Sequence, residues 1–157
     1  MKTNIGIPEH DIDVVVTFLN ALLADEYLLY TKTRNAHWNI KGENFYGLHT
    51  FFETQYEALD VIIDDIAERI RALGHFAIGS LKEFMSATHK EGESQENSNS
   101  KKVLQTLVGD HETIIRDIRK KITPISDKYK DYGTADFVTD VMEKHEKMAW
   151  MLRSYLT

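Results

Sequence analysis

The 157-residue chain is predicted to be all-α, a four-helix bundle with a short extra helix in one long connection. Three observations predict it. Apolar residues recur at three- and four-residue steps over four long stretches, and no stretch alternates with the period of two that marks a strand. The punctuating residues Gly42, Gly74, Pro124 and Gly133 fall between those stretches. A hydrophobic content of 42% is enough to bury a full core in a chain of one-domain length.

Pro8 suits the first position of a helix. From there Ile12, Val15, Val16, Leu19, Leu22, Leu23 and Tyr27 form an amphipathic stripe, and the first helix runs to about Ala36. Asn39 to Asn44, with Gly42, is a turn. The second helix, Tyr46 to Leu73, carries Leu48, Phe52, Tyr56, Leu59, Ile62, Ile63, Ile66 and Ile70, and Gly74 stops it in a left-handed conformation. Leu81 to Met85 is a short apolar piece. Ala87 to Ser100 is a polar surface connection. Val103, Leu104, Leu107, His111, Ile114, Ile115, Ile118 and Ile122 mark the third long helix, which Pro124 ends or kinks. Gly133 and Thr134 are expected to form the turn and N-cap of the last, with Phe137, Val138, Val141, Met142, Met148 and Leu152 on its inner face. Met142, Met148 and Met151 read as core filler. Four long helices with one long crossover between the second and third give the ferritin-like topology. Residues 1–157 form one domain, of which 1–7 are a short tail.

Composition excludes several function classes. No run approaches 18 apolar residues, so no span across a membrane is expected, and MKTNIGIPEH lacks the apolar stretch of a secretory leader. There is no Cys, which removes thiolate metal sites and thiol chemistry and fits a cytoplasmic location. A formal net charge of −6 repels phosphate backbones and attracts cations. No Glu-x-x-His occurs: the residues three before each His are Ile7, Arg34, Tyr46, Ala72, Ser86, Val108 and Met142. A di-metal site built within one bundle from that motif is therefore not expected. His-Glu-x-x-His and a phosphate-binding loop are also missing.

His37, His49, Asp64 and Glu68 remain. Asp64 follows His49 by 15 positions and Glu68 follows Asp64 by one turn, while Glu53 lies one turn beyond His49. On one helix, His49 and Asp64 point to roughly the same side but stand about 22 Å apart along the axis. No single ion bridges that gap in one chain. Two copies of the helix packed antiparallel about a two-fold axis, meeting near Ala58 and Leu59, would bring His49 of one beside Asp64 and Glu68 of the other. Carboxylates and imidazoles suit Fe(II), Mn(II) and Zn(II). Taken singly, each of these residues is also an ordinary helix-surface side chain.

The pattern His37-Trp38-Asn39, then His49, then Asp64-x-x-Ala67-Glu68-Arg69, resembles the Dps family of miniferritins, and the likeness covers essentially the whole chain. The resemblance implies a hollow dodecamer that oxidises Fe(II), usually with hydrogen peroxide and otherwise with oxygen, and stores ferric mineral. It implies His37 and His49 as ligands from one subunit and Asp64 and Glu68 from its two-fold mate. Where the family usually has Asp one turn after the second His, this chain has Glu53, so a second metal position rests on a longer side chain. Trp38 is read either as packing or, by the resemblance, as an aromatic that intercepts oxidising equivalents. Asp131, Asp136 and Asp140 either line a three-fold iron-entry pore, as the resemblance implies, or serve as turn, helix-start and solvated residues. His111 and His145 read as core or interface histidines, and His10, His75 and His89 as terminal or loop residues.

Family members that bind DNA often carry a basic tail, but here the tail has only Lys2. Twelve copies of −6 would carry about −72 formal charges, so strong DNA binding is not expected. Besides the iron-oxidising shell, a nucleoid-binding architectural protein and a non-catalytic helical module remain as alternatives.

Overall fold

The computed structural model describes residues 3–88 and 99–156. His89, Lys2 and most of the polar connection lie outside the described residues. Five α-helices follow one another: α1 Glu9–Asn39, α2 Phe45–Ala72, α3 Leu81–Ala87, α4 Ser100–Thr123 and α5 Tyr132–Arg153. No strand occurs among the described residues. Four of the helices are the predicted long ones, and α3 is the short extra helix of the connection.

The apolar periods become the core. Leu48, Phe52, Leu59, Ile62, Ile66 and Ile70 on α2 are buried and share one apolar core with Ile12, Val15, Leu19, Leu22 and Leu29 of α1 and with the inner faces of α4 and α5. Burial of each such side chain contributes roughly 1.5–3 kcal/mol. The chief pairings are α1 with α2 and α4 with α5. No helix among the described residues is long and apolar enough to cross a membrane.

Helix ends depart from expectation in instructive ways. Pro8 is the N-cap of α1 rather than its first helical residue; its backbone is extended, and its carbonyl accepts from the amides of Asp11 and Ile12. The helix continues to Asn39, a turn beyond Ala36. Gly74 takes φ +90°, as expected after the end of α2, and a Cβ there would stand 2.8 Å from Thr3 Oγ1. At α3 a capping box joins Ser80 and Glu83. The Ser80 hydroxyl, and then the Gly79 and Ser80 amides, hold the Glu83 carboxyl below its ordinary range. Phe84 of α3 stacks on Tyr27 of α1, ring centroids 4.4 Å apart. Asn99 caps α4 by accepting from the amides of Lys101 and Lys102. At Pro124 the α-helix gives way to a π-helical turn over Pro124–Lys128.

The last helix starts three residues earlier than predicted. Asp131, not Thr134, is its N-cap, and Gly133 lies inside the first turn. A carboxylate caps better than the alternative Thr because it accepts from the Thr134 amide and the Thr134 hydroxyl together.

Candidate metal centre

The turn between α1 and α2 decides the geometry of the two histidines. Gly42 takes φ +112°, which only glycine adopts freely, and Ile40 is buried as the turn's anchor. This folds the last turn of α1 back onto the first turn of α2. His37 and His49 then stack, ring centroids 3.8 Å apart at 21°. Their hydrogen bonds are reciprocal. His37 Nδ1 lies 2.8 Å from the His49 carbonyl oxygen, and His49 Nδ1 lies 2.9 Å from the His37 carbonyl oxygen. A carbonyl only accepts, so each Nδ1 carries the hydrogen. In the neutral rings both Nε2 lone pairs are thereby left to accept or to ligate. Orientation of a metal-binding imidazole by a backbone carbonyl on its other nitrogen is the usual way such ligands are held. Two such imidazole nitrogens are donors of the kind that suit a first-row divalent ion.

Around His37 lies an aromatic cage that the sequence did not reveal. Tyr56 meets the His37 ring edge-on at 5.3 Å. The Arg34 guanidinium sits 4.9 Å from the Tyr56 ring, 5.1 Å from Trp38 and 5.6 Å from Tyr30, and Nη1 donates to the Tyr30 hydroxyl at 2.7 Å. That bond, more than its neighbours' charges, holds Arg34 in its charged form. The Tyr56 phenol is pushed above its ordinary value, first by burial and then by the Glu53 carboxylate, against the pull of Arg34. Its hydroxyl lies 3.4 Å from Glu53 Oε1, so Glu53 is turned toward the two-histidine side of α2. Trp38 is 62% exposed in one chain, with the Arg34 guanidinium over its ring, and so is not core packing. The signal for the cage was Tyr30, Arg34 and Trp38 at four-residue steps, which put all three on one helix face.

Asp64 and Glu68 lie one turn apart on the outer side of α2 and are exposed. Ala58 and Val61, between them and the histidines, are exposed too. Because α2 is unbroken from Phe45 to Ala72, the separation of about 22 Å from His49 to Asp64 stands. Among the described residues of one chain, no three His, Asp or Glu side chains gather closely enough to hold a metal ion. The structure thus brings His37, His49 and Glu53 to one end of α2 and leaves Asp64 and Glu68 at the other.

Arg69, the last residue of the motif, has a structural use. Its Nη2 donates to Asp131 Oδ1 at 3.0 Å and its Nε donates to the Thr134 hydroxyl at 2.9 Å. Gly133 permits the approach: a Cβ there would lie 3.1 Å from Arg69 Nη2. Asp131 is therefore spent on capping α5 and pairing with Arg69, and is 3% exposed. Asp136 and Asp140 are exposed, and Asp140 also pairs with Lys144 at 2.8 Å. Replacing Asp131 by Ala should lower the unfolding free energy by about 2 kcal/mol through the lost cap and the stranded Arg69. Denaturant unfolding followed by helical circular dichroism measures it; a loss below about 0.5 kcal/mol would show that the carboxylate does not hold this corner.

A family model for a ferritin-like domain matches residues 16–157. Among curated proteins, a low temperature-induced protein of Nostoc is 41% identical over 155 residues, covering 99% of this chain and 87% of that one. A DNA protection during starvation protein of Helicobacter pylori is 32% identical over 138 residues, covering 88% of this chain and 95% of its own. Among solved structures, a Dps protein from Vibrio cholerae, described as a member of a broad superfamily of ferritin-like diiron-carboxylate proteins, superimposes with a TM-score of 0.91. It shares 30% identity over 100% of this chain and 98% of its own.

Proposed function

The chain belongs to the Dps family of ferritin-like proteins, and from that membership we propose that it oxidises Fe(II) and stores the ferric product in a shell of its own copies, so limiting oxidative damage. The observation that carries the proposal is the reciprocal bonding of His37 and His49, which leaves two Nε2 atoms for Fe(II) on a site lacking carboxylates of its own beyond Glu53. Asp64 and Glu68 of a two-fold mate complete it. Two antiparallel copies of α2 would cross near Ala58, whose small side chain allows close approach. The shell is read as a dodecamer built from such dimers, in the cytoplasm.

Each residue then has a task. His37 and His49 bind the substrate Fe(II) through Nε2. The partner's Asp64 and Glu68 add anionic oxygens, which favour Fe(III) over Fe(II) and so promote electron loss. Glu53 offers an oxygen to a second ion. One hydrogen peroxide takes one electron from each of two Fe(II) ions and two protons, leaving two waters and two Fe(III). Dioxygen is the alternative oxidant. Trp38, with Arg34 and Tyr56 between it and His37, would surrender an electron to an oxidant that escapes the iron. Asp136 and Asp140, tripled about a three-fold axis, would draw Fe(II) inward; Asp131, neutralised by its pairing with Arg69, would add little. Strong DNA binding at physiological salt is not expected of so acidic a shell.

The experiment is a stopped-flow mix of Fe(II)-loaded wild-type protein with peroxide. Fe(II) should disappear faster than in buffer, at about two ions per peroxide, with ferric iron retained at the mass of the shell. Oxidation at the rate of free Fe(II), with precipitate outside the protein, would refute the reading.

A further inference from the structure

Three polar side chains lie in the apolar centre of the bundle, remote from the residues of the candidate metal centre. They are Glu26 of α1, His111 of α4 and His145 of α5, at 0%, 1% and 0% exposure. His145 Nε2 stands 2.8 Å from Glu26 Oε1. That contact is a charge contact without an aligned N–H, for neither Glu26 oxygen receives a hydrogen bond among the described residues. On the other side of the ring, His145 Nδ1 lies 2.8 Å from His111 Nδ1. The three groups therefore form one chain, carboxylate to imidazole to imidazole, tying α1 to both α4 and α5.

Proton bookkeeping restricts the states of this chain. Two nitrogens 2.8 Å apart must share a single hydrogen, because two N–H groups cannot face one another at that distance. At most one of the two rings is an imidazolium while the contact lasts. With Glu26 ionised and both rings neutral, a lone negative charge without a hydrogen bond would sit in the core, which is costly. One proton beyond the two neutral rings removes that charge; a second such proton breaks the His111–His145 contact and leaves two cations to one carboxylate. The charged groups on the surrounding elements are engaged elsewhere and do not relieve this. Asp25 accepts from the Thr88 hydroxyl, and Lys32 pairs with Asp110 between α1 and α4. Lys144 pairs with Asp140 and with Asp65 of α2; Arg119 and Arg153 take Glu146 and Glu112. Among the described residues of α2 the buried polar side chain is the uncharged Gln55.

We propose that Glu26, His145 and His111 are a one-proton latch that holds α1 against the α4–α5 pair at neutral pH and releases it on acidification. In the unfolded chain both histidines charge as the pH falls below about 6.5. The latched bundle admits only one of those charges, so the unfolded state binds the extra proton. Below the histidine range the unfolded chain holds one proton more than the latched bundle, and stability falls there by about tenfold in the folding constant per pH unit; above the range the latched bundle holds the extra proton, and stability falls as the pH rises. His111→Gln keeps a hydrogen-bonding group against His145 Nδ1 but cannot carry a charge.

The test compares urea unfolding of the full chain, wild type and His111→Gln, near pH 8 and near pH 5. The other histidines contribute alike to both and cancel. Wild type should lose about tenfold more of its folding constant than the variant for each pH unit below the histidine range. Equal losses in the two proteins would overturn the proposal. Should the variant not fold, solid-state nitrogen NMR of histidine-labelled wild type answers the same question. One proton shared between the two Nδ1 atoms near neutrality is expected, and in acid the end of that sharing, as both Nδ1 atoms become protonated, together with opening of the bundle. Two doubly protonated rings inside an intact bundle near pH 5 would contradict it.

Discussion

Replacing Asp64 and Glu68 together by Ala is expected to slow Fe(II) oxidation by at least about a hundredfold while the shell stays assembled. Both side chains are exposed in the single chain and take no part in the buried core of α2, so nothing in the fold depends on them. They are, on this account, the anionic half of every site. The metal-free variant should melt no lower than wild type. Like charges one turn apart on a helix are destabilising by about 0.2–0.5 kcal/mol, and the variant is relieved of them. Stopped-flow traces on shells isolated at their full mass give the rate, and calorimetry of the same samples gives the stability. An unchanged initial rate on intact shells would remove both residues from the chemistry.

The bundle was legible because its apolar period runs unbroken through four stretches, and burial follows that period on α2 almost residue for residue. The spacing of His49, Asp64 and Glu68 was legible, since a straight helix converts residue number into distance, whereas His37, on the neighbouring helix, entered as a candidate through the family resemblance. What escaped depended on partners distant in sequence. Asp131 read as a turn or pore residue because its partner Arg69 lies 62 positions away. Gly133 read as a turn for the same reason: its bare α-carbon makes room for that arginine inside a helix, which no local rule anticipates. The reciprocal bonds of His37 and His49 needed the fold of the Gly42 turn. Ser80 and Glu83 did carry a capping-box signature, but the helix they start is only 7 residues long and buries none of them. Glu26 and the two core histidines sit on three helices, and only the packed bundle joins them.

The central claim is that each site draws ligands from two chains, and mixed shells test it most directly. One variant, His37→Ala with His49→Ala, lacks one half of every site; the other, Asp64→Ala with Glu68→Ala, lacks the other half. In a two-fold dimer containing one of each, one site loses all four ligands and the other keeps all four, because an isologous interface pairs each surface with its own copy. Random assembly makes about half of the dimers mixed, each with one intact site of two, so about one quarter of all sites return. The measurement unfolds both variants together, refolds them, and compares peroxide-dependent Fe(II) oxidation with each variant refolded alone. Two inactive parents giving mixed shells at about a quarter of the wild-type rate is the predicted result. Mixed shells with verified heterodimers and no recovered oxidation would contradict it, and the ligands would then have to come from a single chain.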